Sequence, residues 1–263
     1  MLVSIVITSY NSEKYIKDAI NSCLNQNYKD VEVIVIDGFS KDGTVGILKR
    51  FGSIIKYISE PDSGETEAMQ KGLKVARGEI IGFLNSDDLL TPNSLSEVVS
   101  NFNSEPEVEF VFGNAAYCDE NGELVGKIKN LSRVSYDYIL NNNPDLVSQP
   151  AGFFARSMLL RIGGWNQSVN LVNDLELWLR VLHESKYKYC NSVFCIIRRH
   201  PMQQSVRKNK QLHYESIIIR KKMGGHLFCR ANFKILEFYT IGKFKKIIKR
   251  LFFINSNRRI IFN

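Results

Sequence analysis

Long apolar runs are missing from this sequence: none approaches the roughly 18 residues of a membrane span. The expectation is a soluble or peripheral protein. Cysteine is sparse and unpatterned. The five residues, Cys23, Cys118, Cys190, Cys195 and Cys229, form no Cys-x-x-Cys pair, stand at no metal-ligand spacing with a histidine, and make an odd, poor disulfide framework. A reducing cytosol is the expected setting. The apolar start, "MLVSIVITSYN", has neither a basic leader nor a small-residue cleavage site, so it reads as a first strand rather than a signal peptide. Both common nucleotide fingerprints are also absent: no G-x-G-x-x-G follows the first strand, and no G-x-x-x-x-G-K-[ST] occurs anywhere. Dinucleotide oxidoreduction and P-loop hydrolysis therefore lose ground.

Acidic residues are scarce in one region only. From Val206 to Asn263 there are 15 Lys and Arg against Glu215 and Glu237, whereas residues 1–205 carry 20 against 25 within an overall net charge of +8. A mildly acidic body precedes a basic tail. With 263 residues, 44% of them hydrophobic and 24% charged, the chain is an ordinary globular one, long enough for a large α/β domain with an appendage.

Apolar, β-branched runs at 3–9, 31–37, 54–59 and 79–85 alternate with helical patterns at 12–26, 43–51 and 66–76. That alternation predicts crossover connections and a doubly wound, largely parallel sheet. Ser12 is the expected cap of the first helix, and Thr91, followed by Pro92, of the fourth. A strand is expected at 108–119 and a hairpin at Asn121-Gly122, so antiparallel pieces should join the second half. Helix at 174–184, with Leu175, Trp178, Leu179 and Leu182 on one face, and strand at 187–199 complete the pattern. His183 and Trp178 are assigned to packing or surface.

The chemistry concentrates at strand ends. "GEIIGFLNSDDLLTP" runs a buried-strand pattern straight into Asp87 and Asp88. Ligands of open parallel sheets bind beyond the carboxyl ends of the strands. Two adjacent carboxylates repel there, and a divalent cation would remove that cost. The second strand ends likewise in "IDGFSKDGT", where Asp37 is a functional candidate and Asp42 a helix cap.

Five pieces carry a resemblance: "VSIVITSYNSEKYIKDAINSCLNQ", "EVIVIDGFSKDGT", "ISEPDSGETEAMQKGLKVARGEIIGFLNSDDLLTP", "QPAGFFARSMLLRIGGWNQS" and "NDLELWLRV". In this order, over about residues 3–205, they resemble the inverting family-2 glycosyltransferases of GT-A fold. The resemblance implies a GT-A domain at 1–205, a mostly parallel nucleotide-sugar-binding sheet with antiparallel additions, followed by a basic helical extension at 206–263. It also implies roles. Asp88 would ligate Mg²⁺ or Mn²⁺ and Asp87 would contact the ribose. Thr8, Tyr10 and Asp37 would line the donor site. Asp174 would be the catalytic base, the plain alternative being a first-turn helix charge. Trp165 is either core or a platform for a sugar ring. His200 and Ser205 resemble a stretch near the diphosphate, the plain alternative being a surface histidine.

Departures from the family pattern narrow the reading. Gly38 and Phe39 follow Asp37 where many members carry a second acid that contacts the nucleobase, which weakens a uracil assignment. Asn85 and Asn173 stand where acids are frequent. The Q-x-x-R-W signature of processive synthases is missing, which favours transfer of one sugar at a time. The expected partners are a nucleotide-sugar donor and a saccharide or lipid-linked acceptor of surface-polysaccharide synthesis, with the work done at the cytoplasmic face of the membrane. In the tail, Leu236, Phe244, Ile247, Ile248 and Leu251 fall on one side among Lys243, Lys245, Lys246, Lys249 and Arg250. That pattern suits a basic helix on an anionic membrane, or else one packed on the domain. No nucleic-acid motif is present. The rival readings are a metal-dependent phosphotransferase or nucleotidyltransferase, and a noncatalytic adaptor working through its tail.

Overall fold

The computed structural model describes residues 1–125, 135–142, 148–169, 171–203, 209–226, 229 and 232. In chain order the elements are β1 (Val3–Ser9), α1 (Ile16–Leu24), β2 (Val31–Asp37), α2 (Thr44–Phe51), β3 (Lys56–Ser59), α3 (Glu65–Val75), β4 (Ile80–Asn85), β5 (Leu89–Leu90) and α4 (Ser94–Ser104). The second half adds β6 (Phe110–Cys118), α5 (Tyr136–Asn141), β7 (Gly152–Ala155), α6 (Arg156–Arg161), α7 (Asn173–Glu184), β8 (Tyr187–Arg198) and α8 (Asn209–Lys222).

The strands form one sheet in the order β3-β2-β1-β4-β7-β6-β8-β5. Strands β1 to β4 are mutually parallel, with Ser9 opposite Asp37 and Thr8 opposite both Ile36 and Asn85. The order reverses at β1, because α3 returns the chain from β3 to the other side, and a crevice opens at such a switch point. β7 runs antiparallel between β4 and β6, and β8 lies parallel to β6 while β5 pairs antiparallel with it. The antiparallel additions are thus present. β7 was not legible as a strand, since "GFFA" is four residues long and shows no alternation.

Side-chain alternation along β1 divides the core. Val6 faces the layer of α3, α5, α6 and α7; Val3, Ile5 and Ile7 face that of α1, α2 and α4. Each such aliphatic side chain, fully buried, contributes about 1.5–3 kcal/mol. Helix α3 lies against β1 at Gly72, where a Cβ would fall 2.2 Å from Val6 Cγ1. Any larger residue would push the helix off the sheet and displace its N-terminus. On α7, Leu175, Trp178, Leu179 and Leu182 are buried together as expected.

Two expected helix starts are corrected. α1 begins at Ile16, because the Ser12 hydroxyl is committed to Ser86 Oγ at 2.7 Å and only the Ser12 carbonyl receives Tyr15 N and Ile16 N. α4 begins at Ser94, because Thr91 Oγ1 donates to the Val193 carbonyl at 2.6 Å and so ties the chain to β8. β3 starts only at Lys56, after a short 3-10 turn at Gly52–Ile54.

Helix α8 opens the segment read as a basic extension, and its Ile219 joins the core layer of α3 and α7. The aromatic and basic stretch from Leu236 to Leu251, like Ser205, lies outside the described residues. No described helix is long and apolar enough to cross a membrane.

Candidate active site

The end of β4 is drawn against β8 by the short β5, where Leu89 pairs with Ile196 and Leu90 with Cys195. Asp88, 2% exposed, accepts hydrogen bonds from the Arg198 backbone N–H and from Asn85 Nδ2, both at 3.0 Å. Burial, and then the charge of Asp87, hold its carboxyl well above the usual carboxylate range. Asp87 Oδ2 lies 2.9 Å from His200 Nε2. That contact corrects the surface reading of His200, whose ring is mostly covered and packs on Tyr15 at 5.1 Å. Beneath them lies Arg198, 3% exposed. Its Nε donates to the Asp87 carbonyl at 3.1 Å, Nη1 to the Glu120 carbonyl at 3.3 Å, and Nη2 stands 3.6 Å from Asp18. The guanidinium also covers the Tyr15 ring at 4.7 Å. The Arg198 guanidinium therefore braces the aspartate loop through the Asp87 carbonyl, while its backbone N–H holds the Asp88 carboxylate.

The ends of β1 and β2 are tied differently. Asp37 is fully buried and accepts from Ser40 N at 3.0 Å, from Ser40 Oγ, and from Ser59 Oγ at 2.6 Å. Asn11 and the following loop exchange bonds, Asn11 N to Ser40 Oγ at 2.8 Å and Lys41 N to Asn11 Oδ1 at 2.9 Å. Asp42 accepts from Thr44 N and Glu13 N; although burial raises it, these hydrogen bonds bring it below the usual carboxylate range. Thr8 is buried, whereas Tyr10 is 64% and Phe39 48% exposed. Phe39 holds φ +63°, a strained conformation for a bulky residue.

A third set of groups comes from two converging helix starts. Asn173 Nδ2 donates to Thr66 Oγ1 at 2.9 Å, and Thr66 Oγ1 donates to the Val169 carbonyl at 2.9 Å. This latch joins α7 to α3 and sets Asp174 and Glu65, the neighbours of the latched pair, at one place. Asp174 Oδ1 accepts from Leu175 N at 2.7 Å. Burial raises its carboxyl, against the pull of its hydrogen bonds. Glu65 is pushed up to about 7 by burial, then by the charges of Asp174 and Asp87. The acids after β4 and on α3 and α7 thus share one electrostatic field. Trp165 is 3% exposed, lies edge-on to Phe83 at 5.0 Å as a core residue, and donates its backbone N–H to Gln70 Oε1 on α3 at 2.9 Å.

The aspartate loop fits a divalent cation. Asp87, Asp88 and His200 offer hard oxygen with imidazole nitrogen, and the buried Asn85 Oδ1 beside them has no hydrogen-bond partner. No cage of three or more His, Cys, Asp or Glu occurs among the described residues. A Mg²⁺ or Mn²⁺ site that uses one or two carboxylates and completes its shell with substrate phosphates needs none.

Sequence reasoning missed Glu65 and Arg198. A signal existed for the second, because β8 parallel to β6 must end at the same edge as β4 once β5 pairs with it. None existed for Glu65, whose importance depends on the approach of α7.

Comparison with known proteins agrees with this architecture. The model of the family described as Glycosyl transferase family 2 matches residues 4–161. An uncharacterized glycosyltransferase of Rickettsia conorii is 29% identical over 214 residues, covering 78% of this chain and 35% of that protein. A chondroitin synthase of Escherichia coli is 26% identical over 226 residues, 82% of this chain and 32% of the synthase. The chain therefore spans about a third of the length of these two relatives. Among solved structures, Staphylococcus aureus TarS 1-349 in complex with UDP-GlcNAc superposes with a TM-score of 0.67 at 17% identity, over 83% of this chain and 65% of TarS. That likeness establishes a shared GT-A fold.

Proposed function

The chain belongs to glycosyl transferase family 2, and on that premise we propose that it transfers one sugar, with inversion, from a nucleoside-diphosphate sugar to a hydroxyl of a saccharide or lipid-linked acceptor. The observation that carries this reading is that Glu65 lies within electrostatic reach of both Asp174 and Asp87. An acid at a helix start and the aspartate loop thus act on the same neighbour.

In this reading the acceptor oxygen attacks the anomeric carbon, the bond from that carbon to the diphosphate oxygen breaks, and the hydroxyl proton passes to Asp174. Its raised pKa makes Asp174 a better proton acceptor than an exposed carboxylate. Asp88, with Asp87 and His200 beside it, would hold a Mg²⁺ or Mn²⁺ ion that supplies positive charge to the departing diphosphate. Thr8, Tyr10 and Asp37 shape the donor side, Asp37 by holding the loop that presents Phe39. Trp165 supports the acceptor side from the core.

Residues 1–205 form the catalytic domain in this account, and residues 206–263 the basic extension. Docking on an anionic membrane at its cytoplasmic face rests on the charge of that extension, at about 1 kcal/mol per basic residue near the surface. A surface-polysaccharide product is supported by the similarity to a chondroitin synthase.

Asp174→Asn tests the chemistry. Turnover should fall by about 10²–10⁴-fold while the dissociation constant of the nucleoside diphosphate stays unchanged. Retained turnover would remove Asp174 from the role of base.

A further inference from the structure

Gly38 leaves the nucleotide end of β2 without the acid that its sequence position would suggest, and the space is not vacant. A Cβ at Gly38 would stand 2.9 Å from Asp62 Oδ2 and 3.2 Å from Oδ1. The carboxylate of Asp62, reaching over from the loop between β3 and α3, occupies the volume that a side chain at position 38 would enter.

That loop is held firmly. Lys71 donates to the Pro61 carbonyl at 3.1 Å and pairs with Glu60 at 2.9 Å and Glu67 at 3.0 Å. Ser63 binds Glu67 through both its N–H and its hydroxyl. Asp62 Oδ1 accepts from Gly64 N at 2.9 Å, while Oδ2 accepts no hydrogen bond from the described residues. Lys71 is spent on the two glutamates, so the charge of Asp62 has no direct ion-pair partner there. Burial raises the Asp62 carboxyl, opposed by the Gly64 hydrogen bond and by Lys71.

Two exposed rings follow the neighbouring strand ends. Tyr10 follows β1, and Phe39 follows Gly38 in its strained conformation, with Lys41 Nζ 3.3 Å from the ring centre. Two strand spacings, roughly 10 Å, separate β2 from β4. A nucleoside whose diphosphate sits at Asp87 and Asp88 spans that interval.

We propose that Asp62 determines nucleobase specificity, its Oδ2 accepting a hydrogen bond from the ring N–H of a uracil, thymine or guanine held between the aromatic side chains. This inference rests on the donor-site reading above. An ionised carboxylate only accepts hydrogen bonds. Adenine and cytosine present a ring-nitrogen lone pair at the corresponding edge, which repels it.

The test is the dissociation constants of UDP, TDP, GDP, ADP and CDP with Mn²⁺, for wild type and Asp62→Asn. Wild type should bind the first three about 10- to 100-fold tighter than the last two, as a charged hydrogen bond warrants. Asp62→Asn keeps an oxygen for Gly64 N, so the fold should persist while the preference shrinks to about twofold or less. Combining Gly38→Asp with Asp62→Gly returns an acid to the same space and should restore the preference. If Asp62→Asn keeps the wild-type preference, or the double variant folds yet shows none, Asp62 is a loop brace and the inference falls while the donor site stands. If wild type binds none of these nucleotides, the donor-site reading falls and takes the inference with it.

Discussion

The ends of β1 and β2 and the ends of β4 and β8 stand side by side along the sheet, yet polar groups are handled in opposite ways at the two places. At β1 and β2 the charges are spent internally: Asp37 receives three hydrogen bonds and Asp42 two from backbone N–H groups. At β4, where α3 and α7 converge, Glu65, Asp87, Asp88 and Asp174 crowd together, and burial and mutual repulsion raise several of them. Apart from Asp62 Oδ2, the first region is finished before any ligand arrives. The second is electrostatically incomplete, and in the proposed reaction it would gain most from a cation and from the released proton.

Substitutions should separate the two regions by sign as well as size. Arg198→Ala removes the buried brace under the aspartate loop, with its hydrogen bonds to the Asp87 and Glu120 carbonyls, and should cost about 3 kcal/mol of stability, read by urea unfolding; a loss below about 1 kcal/mol would mean that the loop is held by β5 alone. Asp37→Ala strands Ser40 and Ser59 and should cost about 2 kcal/mol, with no dependence on added Mn²⁺.

Glu65→Gln should act the other way. A carboxyl raised to about 7 from an ordinary value near 4.5 keeps its proton in the folded state, so the contribution of Glu65 to stability is fully present below pH 4.5 and is lost as pH rises to about 7. The variant lacks that loss. In EDTA it should match wild type at pH 4 and exceed it by up to about 3 kcal/mol at pH 8, and equal stabilities at pH 8 would show that the acids are already compensated. Phe39→Gly should have the smallest effect, within about 1 kcal/mol, because relief of the positive φ offsets the added freedom of glycine. A larger loss would give Phe39 a packing role that its exposure does not suggest.

This contrast also explains what could be read from the chain. Strands β1, β2 and β4 announce themselves because parallel strands buried on both faces appear as unbroken Val and Ile runs, and their ends locate Asp37, Asp87 and Asp88. Ser12 and Thr91 misled as helix caps because their hydroxyls serve distant partners, Ser86 and the Val193 carbonyl. His200 resembled a surface residue because Asp87, its partner, lies 113 positions away. The space that a side chain at position 38 would enter is filled by the carboxylate of Asp62, from the loop after β3. Pattern fixes what a strand carries to its end, while pairing across loops decides which groups meet there.

The most direct test of the central claim is thermal unfolding with a nucleoside diphosphate, with and without Mn²⁺, for wild type and Asp88→Asn. At 100 times its dissociation constant a bound ligand adds about 2.7 kcal/mol. The account predicts a clear rise for wild type that needs both nucleotide and Mn²⁺ and is lost in Asp88→Asn. An equal rise without the cation, or an undiminished one in the variant, would contradict it.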